Sequence, residues 1–378
     1  MNHIAKLDVR GGIEEDLMNF VVSAGSDSTV RIWNVAKGLC AGKCTDMEGG
    51  DEEGDQSTIS ALTTVVDSGG SGSSIVTGTD SGTIRIWDLG RSESGDARLQ
   101  SKFHAHKGRV TCLVSELGGG SGGGVGEGGS ITNYPRLVSS GVDRTIRMWD
   151  PRLRKPQVFL FKGHTDTVNA LLLDSLSACI VSGGRDQSVR IWDIRTGRQR
   201  SSMMEHFGSV NCLAISKEKN GTYLSSGRDG VICLWKRGSG EFTKSLRQGP
   251  NAKAVCCLAV KTGEGSDGGS RSVSGSSDGA IRVWDHARGK CLRVLGGHLG
   301  AVTAASWCST PGHIVSGGID GKVRMWDCRA GRCVQYIQGH SGAITGLVTA
   351  GGWICSSSRD GSLRVWRPNV NSFYRVVE

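Results

Sequence analysis

The chain has 378 residues, with 58 glycines, 6 prolines, 10 tryptophans and 13 cysteines, and a formal charge of +9 at pH 7. That length suits two or three ordinary domains or one large closed one. No apolar run reaches the ~20 residues that span a bilayer, and the N-terminus lacks a basic-then-apolar signal pattern, so a soluble protein of the cytoplasm or nucleus without a membrane partner is expected.

The positive charge suits acidic partners but is thin over so large a surface. The cysteines are odd in number and none falls in a Cys-x-x-Cys pair. Most sit in apolar runs, as Cys112, Cys212 and Cys256 do, and read as reduced core thiols rather than as a disulfide or zinc framework. No cofactor is implied.

Tryptophan sets the register. Trp33, Trp87, Trp149, Trp192, Trp235, Trp284, Trp326 and Trp366 follow one another at steps of 40 to 62 residues, while Trp307 and Trp353 fall outside the series. A period in this range points to a radial array of repeated units.

Unit 1 (1–45) carries Ser23, Asp27 and Trp33, with His3 as the one histidine at a plausible distance upstream. An acidic insertion follows near 46–57, "DMEGGDEEGDQ", which reads as a solvated loop, with repulsion of acidic partners from its sector as the alternative. Unit 2 (58–103) has Thr77 where its neighbours have Ser, Ser81 in the turn and Asp80 displaced by one position; its Gly/Ser insertion lies near 67–74. Unit 3 (104–162) has His106, Ser139, Asp143 and Trp149, with a Gly-rich insertion near 116–134.

Unit 4 (163–205) is the bare pattern, with His164, Ser182, Asp186 and Trp192. Its segments Val168 to Asp174, Cys179 to Gly184 and Ser188 to Asp193 are apolar or β-branched runs between turn residues, and Gln199 to Met203 supplies a fourth strand. Unit 5 (206–249) has His206, Ser225, Asp229 and Trp235. Its Asn220-Gly-Thr matches a glycosylation acceptor but reads better as a hairpin turn. Unit 6 (250–297) has Ser274, Asp278 and Trp284, no upstream histidine, and an insertion near 262–271. Unit 7 (298–339) has His298, Ser316, Asp320 and Trp326; unit 8 (340–378) has His340, Ser356, Asp360 and Trp366. Four short strands are too small a sheet to cover both of its own faces, so the units are expected to stack around an axis.

The order Gly-His, Ser-x-x-x-Asp, Trp-Asp, as in "GHTDTVNALLLDSLSACIVSGGRDQSVRIWD", resembles the WD40 repeat family over essentially the whole chain. The resemblance implies an all-β fold, a single eight-bladed β-propeller of four-stranded antiparallel blades, with seven blades as the alternative. It also implies that His, Ser, Asp and Trp of each complete set form a hydrogen-bonded chain within the blade. Units 1, 2 and 6, which depart from the set, should be the looser part of the ring. Phe373 to Val377 falls where a fourth strand of the last blade belongs. Many family members close the ring with an N-terminal strand instead.

In such a meander the 1–2 and 3–4 loops share one rim and the 2–3 and 4–1 loops share the other. The Gly-rich insertions fall in 1–2 loops; a phosphate-cradling role is disfavoured because strands, not helix N-termini, follow them. The recurring Ser, His and Asp are not read as a hydrolase triad, because they recur in five units and tryptophan occupies the serine hydroxyl. No enzyme is expected.

Arginine two places before Trp, from Arg31 to Arg364 with Cys233 the exception, is architectural on the same repetition argument. A basic cluster remains after the Trp-Asp pairs: Arg152, Arg154, Lys155, Arg195, Arg198, Lys236, Arg237, Arg329 and Arg332. The position before the turn Asp varies from unit to unit: Ser26, Asp80, Val142, Arg185, Arg228, Ser277, Ile319 and Arg359. In the family this position faces the partner surface. Arg185, Arg228 and Arg359 are therefore the candidate partner-binding residues, suited to a carboxylate or phosphopeptide, against a local salt bridge to a turn Asp.

The expected function is a non-catalytic scaffold that binds proteins or peptides across the 2–3/4–1 rim. The alternative is a substrate receptor docking to a cullin-ligase adaptor through Trp-Asp-x-Arg boxes ending at Arg152, Arg195 and Arg329. A nucleic-acid role is the least favoured.

Overall fold

The structure, a computed structural model, describes residues 3–7, 20–44, 57–66, 73–89, 96–116, 136–151, 153, 155–216, 221–249, 253–261, 270–350, 352–368 and 373–377. These form eight four-stranded antiparallel sheets, each contiguous in sequence, and no helix. The blades span 3–44, 59–104, 110–161, 168–203, 210–247, 255–296, 302–338 and 344–377. The expectation of eight blades over seven holds. No helix among the described residues is long and apolar enough to cross a membrane.

Blade 4 shows how the local pattern makes a sheet. Its strands are Val168–Asp174, Cys179–Gly184, Val189–Asp193 and Gln199–Met203. The third strand starts one residue later than the sequence suggests, because Ser188 belongs to the turn: its amide and its hydroxyl both donate to Asp186 Oδ1, at 3.1 and 2.8 Å. On the fully buried second strand successive side chains point to opposite faces. Ile180 joins the core shared with blade 3, and Cys179 and Val181 join the core shared with blade 5.

That alternation runs round the molecule. The buried apolar residues fall into eight clusters, and each draws on two adjacent blades. Each repeat tryptophan packs against the preceding blade, as Trp235 does among Cys179, Val181 and Val189. Fully burying one large apolar side chain is worth about 1.5–3 kcal/mol, and in these clusters that burial is shared between adjacent blades.

The ring closes by the same packing. Val21, Trp33 and Val35 of blade 1 meet Cys355, Leu363 and Val365 of blade 8. The fourth strand of blade 8 is Phe373–Val377, paired with Leu363–Pro368, as expected from the sequence. The first strand of blade 1, His3–Leu7, pairs with Phe20–Ala24 of its own sheet.

Polar seams tie the innermost strands together, and the sequence reading did not foresee them. In blades 2, 4 and 7 the residue after the first strand's first apolar position donates to the next blade's first-strand carbonyl: Ser60 to Val110 at 2.7 Å, Asn169 to Val210 at 3.2 Å and Thr303 to Ile344 at 2.6 Å. Thr111 does the same to Val168.

The insertions at 67–72, 117–135 and 262–269 lie outside the described residues, as does 45–56. The strands flanking the first three are strands one and two of blades 2, 3 and 6, and those flanking the acidic run are strand four of blade 1 and strand one of blade 2. Asn220 is also outside the described residues. All 13 cysteines are free. Burial pushes the Cys355 thiol up to about 12, so it stays protonated at neutral pH.

An ionic contact also joins blades 4 and 5. Asp174 at the end of the first strand of blade 4 is buried and meets Arg237, which follows the third strand of blade 5. Arg237 Nε donates to Asp174 Oδ2 at 2.8 Å, Arg237 Nη2 donates to Oδ1, and the buried Tyr223 hydroxyl donates to Oδ2 at 2.7 Å. Burial alone would raise the Asp174 carboxyl, but hydrogen bonds from Arg237, Tyr223 and Ser177 bring it down to about 2. Arg237, grouped by sequence with the rim cations, is thus consumed inside the 4–5 seam. Arg237→Ala leaves a buried carboxylate without its counter-charge and should cost about 3–5 kcal/mol, read as a lowered urea midpoint. Exposed Arg329→Ala should stay within about 0.5 kcal/mol of the parent.

Candidate functional site

The site is built from the turn that carries each repeat aspartate. In blade 4, Trp192 Nε1 donates to Ser182 Oγ at 2.8 Å. Ser182 Oγ in turn lies 2.7 Å from His164 Nε2, and His164 Nδ1 lies 2.9 Å from Asp186 Oδ2. In the tautomer whose Nε2 accepts from the serine hydroxyl, Nδ1–H points at the carboxylate.

The same chain runs through His106, Ser139, Asp143 and Trp149, and through His206, Ser225, Asp229 and Trp235. It recurs in His298, Ser316, Asp320 and Trp326, and in His340, Ser356, Asp360 and Trp366. All five serines are fully buried, so none is open to a substrate.

The three departing blades find substitutes. In blade 2, Trp87 donates to Thr77 Oγ1 at 3.1 Å, Ser81 bonds Thr79, and Asp80 turns outward to accept from Thr58 Oγ1 at 2.7 Å. In blades 1 and 6 the turn carboxylate takes the strand-three arginine: Arg31 to Asp27 at 3.4 Å and Arg282 to Asp278 at 2.7 Å. His3 is not the missing member. Its backbone pairs with Ala24, the register of Ala170 in blade 4, inside the strand rather than before it. Two other arginines of this series lie along their own blade: Arg190 donates to Ser188 and Gln199, and Arg324 lies over Tyr336.

The aspartate also fixes the rim. Asp186 Oδ2 takes the Thr165 amide of the 4–1 loop while Oδ1 takes the Ser188 amide of the 2–3 turn. The residue before it is pinned through its backbone, Arg185 N donating to Thr167 O at 2.8 Å, Arg228 N to Ser209 O at 3.0 Å and Arg359 N to Ala343 O at 2.9 Å. The side chains at this position are exposed in every blade. The scaffold holds the backbone still and leaves the side chain to vary. In blade 2 the next blade's loop crosses so closely that a Cβ on Gly82, at φ +89°, would meet the His106 carbonyl at 2.0 Å.

Arg185 and Arg228 meet in one open groove of about 310 Å³ between blades 4 and 5, lined also by Asp166, Gln187, Phe207, Gly208, Ser209 and Asp229. Arg185 Nε stands 3.7 Å from Asp166 Oδ2. Its ionic neighbour is therefore a 4–1 loop residue, and the turn Asp186 belongs to His164. Arg228 forms no ion pair among the described residues. Arg359, on blade 8, is not part of this groove. Asp166, Gln187 and Phe207 were missed in the sequence, although their fixed offsets from His164, Asp186 and His206 place them on the same rim.

On the opposite rim, Asp193 and Asp327 cap the 3–4 turns by accepting the amides of Arg195 and Arg329 at 2.8 and 2.7 Å, leaving both side chains exposed. They stand three blades apart. Arg152 lies outside the described residues. No cluster of three His, Cys, Asp or Glu side chains fit for a metal occurs among the described residues.

The family model described as WD domain, G-beta repeat matches eight segments: 17–34, 53–88, 97–150, 155–193, 197–236, 240–285, 289–327 and 331–367. The chain belongs to the WD40 repeat family. Its members are typically non-catalytic scaffolds that bind proteins or peptides. Among solved structures, the computationally designed Ika8 protein is similar at 26% identity over 93% of each chain, with a TM-score of 0.70. The WD40 β-propeller domain of Doa1 is similar at 21% identity, over 84% of this chain and 95% of that one, with a TM-score of 0.58. Comparison with curated proteins gives no match.

Two expectations follow for the WD40 scaffold. Ser182→Ala strands both the Trp192 indole and the His164 imidazole, whereas Ser274→Ala in blade 6 strands only Trp284. At about 1–3 kcal/mol per buried orphan, the first should lower the denaturant midpoint clearly more than the second.

Acid should destabilise the ring in two windows. Burial lowers the His298 and His340 imidazoles below their ordinary 6.5, only partly offset by Asp320 and Asp360. Burial alone would raise Asp143, Asp186 and Asp360, but their histidine, hydroxyl and amide donors hold them below the ordinary 3.8. In both cases the unfolded chain takes up protons first. Stability should therefore fall as pH drops below about 6.5 and again below about 3.8, measured as urea midpoints from pH 8 to 3.

Proposed function

We propose that this propeller is a non-catalytic scaffold that holds an acidic peptide segment of a partner protein across the 2–3/4–1 rim, in the groove between Arg185 and Arg228. The observation that carries this reading is the convergence of two exposed guanidinium groups, from adjacent blades, on one open groove. Their backbones are pinned by the repeat network, so binding does not have to pay for ordering the loops that present them. Guanidinium groups favour carboxylate and phosphate oxygens in two-point geometry. Arg359 contributes positive charge at a distance rather than a contact.

The adaptor-docking alternative has less behind it. Arg195 and Arg329 are exposed, but they lie three blades apart, and both of these boxes form ordinary 3–4 turns.

Charge reversal at both groove positions, Arg185→Glu with Arg228→Glu, should weaken captured partners more than tenfold, since a hydrogen bond to a charged group is worth about 1.5–3 kcal/mol. The circular dichroism and melting temperature of the ring should be unchanged. Quantitative affinity capture reads the loss; undiminished capture by the folded double variant rejects the assignment.

A further inference from the structure

This inference rests on the reading of the Arg185–Arg228 groove as a peptide site and names the chemistry it prefers. The two guanidinium groups are not equivalent. Arg228 is exposed and has no side-chain partner among the described residues. Arg185 already faces Asp166 Oδ2 at 3.7 Å, and both side chains are about half exposed, at 65% and 47%.

Asp166 is itself held in place, its Oδ1 accepting the Thr167 amide at 2.6 Å. Asp229, the other carboxylate on the wall, is committed to His206 and to the Phe207 and Val231 amides. An arriving anion thus meets one free cation and one that carries a built-in carboxylate.

A ligand carboxylate offers Arg185 nothing that Asp166 does not already supply, so it gains only Arg228. A phosphoryl group carries a charge of about −1.5 to −2 and three acceptor oxygens. It can hold Arg228 and also draw Arg185 away from a single, loose contact. Beside this pair, Phe207 is 81% exposed on the groove wall and offers an aromatic surface to a neighbouring apolar residue.

We propose that the groove selects a phosphorylated side chain over a carboxylate in a peptide whose next residue is apolar, and that Asp166 enforces the choice by competing for Arg185. Asp166 is in this sense a specificity residue: it weakens all anions a little and single charges most.

The test uses the whole chain and three fluorescent pentapeptides, Gly-Gly-X-Leu-Gly, with X as phosphoserine, aspartate or serine, read by anisotropy. Phosphoserine should bind about tenfold more tightly than aspartate, given charge-assisted bonds to two arginines rather than one. Asp166→Asn keeps the Oδ1 acceptor for Thr167 and frees Arg185. It should tighten the aspartate peptide about fivefold, the upper range for an exposed ion pair, and narrow the gap between the two anions. In an Arg185→Ala background the same change should do nothing.

Anions that bind equally to the parent, or a gap that Asp166→Asn leaves unchanged, overturn this inference while the groove stands, provided Arg185→Glu with Arg228→Glu still abolishes binding. Peptides that fail to bind, or that ignore the double charge reversal, overturn the groove reading as well.

Discussion

Each repeat indole serves two sheets at once, and the molecule depends on that double duty. The Trp235 ring fills the core between blades 4 and 5, while its Nε1 donates to Ser225 of its own blade. A four-stranded sheet has two apolar faces and no helix to cover either. Each face finds cover only against another blade, and the requirement passes from blade to blade until blade 8 meets blade 1 across Trp33 and Leu363. Closure is the condition under which every face is dry.

The polar chain behind the indole turns that packing into a rigid rim. Serine, histidine and aspartate relay from the buried tryptophan to the 2–3 turn, and the aspartate binds amides of that turn and of the adjoining 4–1 loop. The position before it is left with a fixed backbone and an exposed side chain. Identical machinery in several blades therefore produces a set of presentation points whose chemistry is free to differ. The exposed side chains at those points differ from blade to blade, while the repeated residues beneath them keep the geometry constant.

The arginines show why residue type alone does not assign a role. Arg282 neutralises a turn carboxylate in a blade without histidine, and Arg237 is drawn into the 4–5 seam by Asp174 and Tyr223. Arg228 stands exposed at the mouth of a groove. All three contribute equally to the net charge of +9. Only those whose counter-charge is absent or weakly held are available to a partner, and that is a property of the assembled surface.

The sequence by itself determined the number of repeats, the strands of blade 4 and the last strand of blade 8, and, through its resemblance to the WD40 family, the five polar tetrads. These depend on local spacing: alternation along a strand, a turn of set length and a serine ten residues before its tryptophan. It also placed Arg185 and Arg228 on neighbouring blades of one rim. Only the tertiary structure decided that they share a groove with Asp166 and Phe207 and that His3 sits within a strand. The seam hydrogen bonds and the Asp174–Arg237 pair were likewise invisible, since their partners lie on different blades. Repetition makes contacts within a blade legible, whereas contacts between blades depend on how two surfaces meet around the axis.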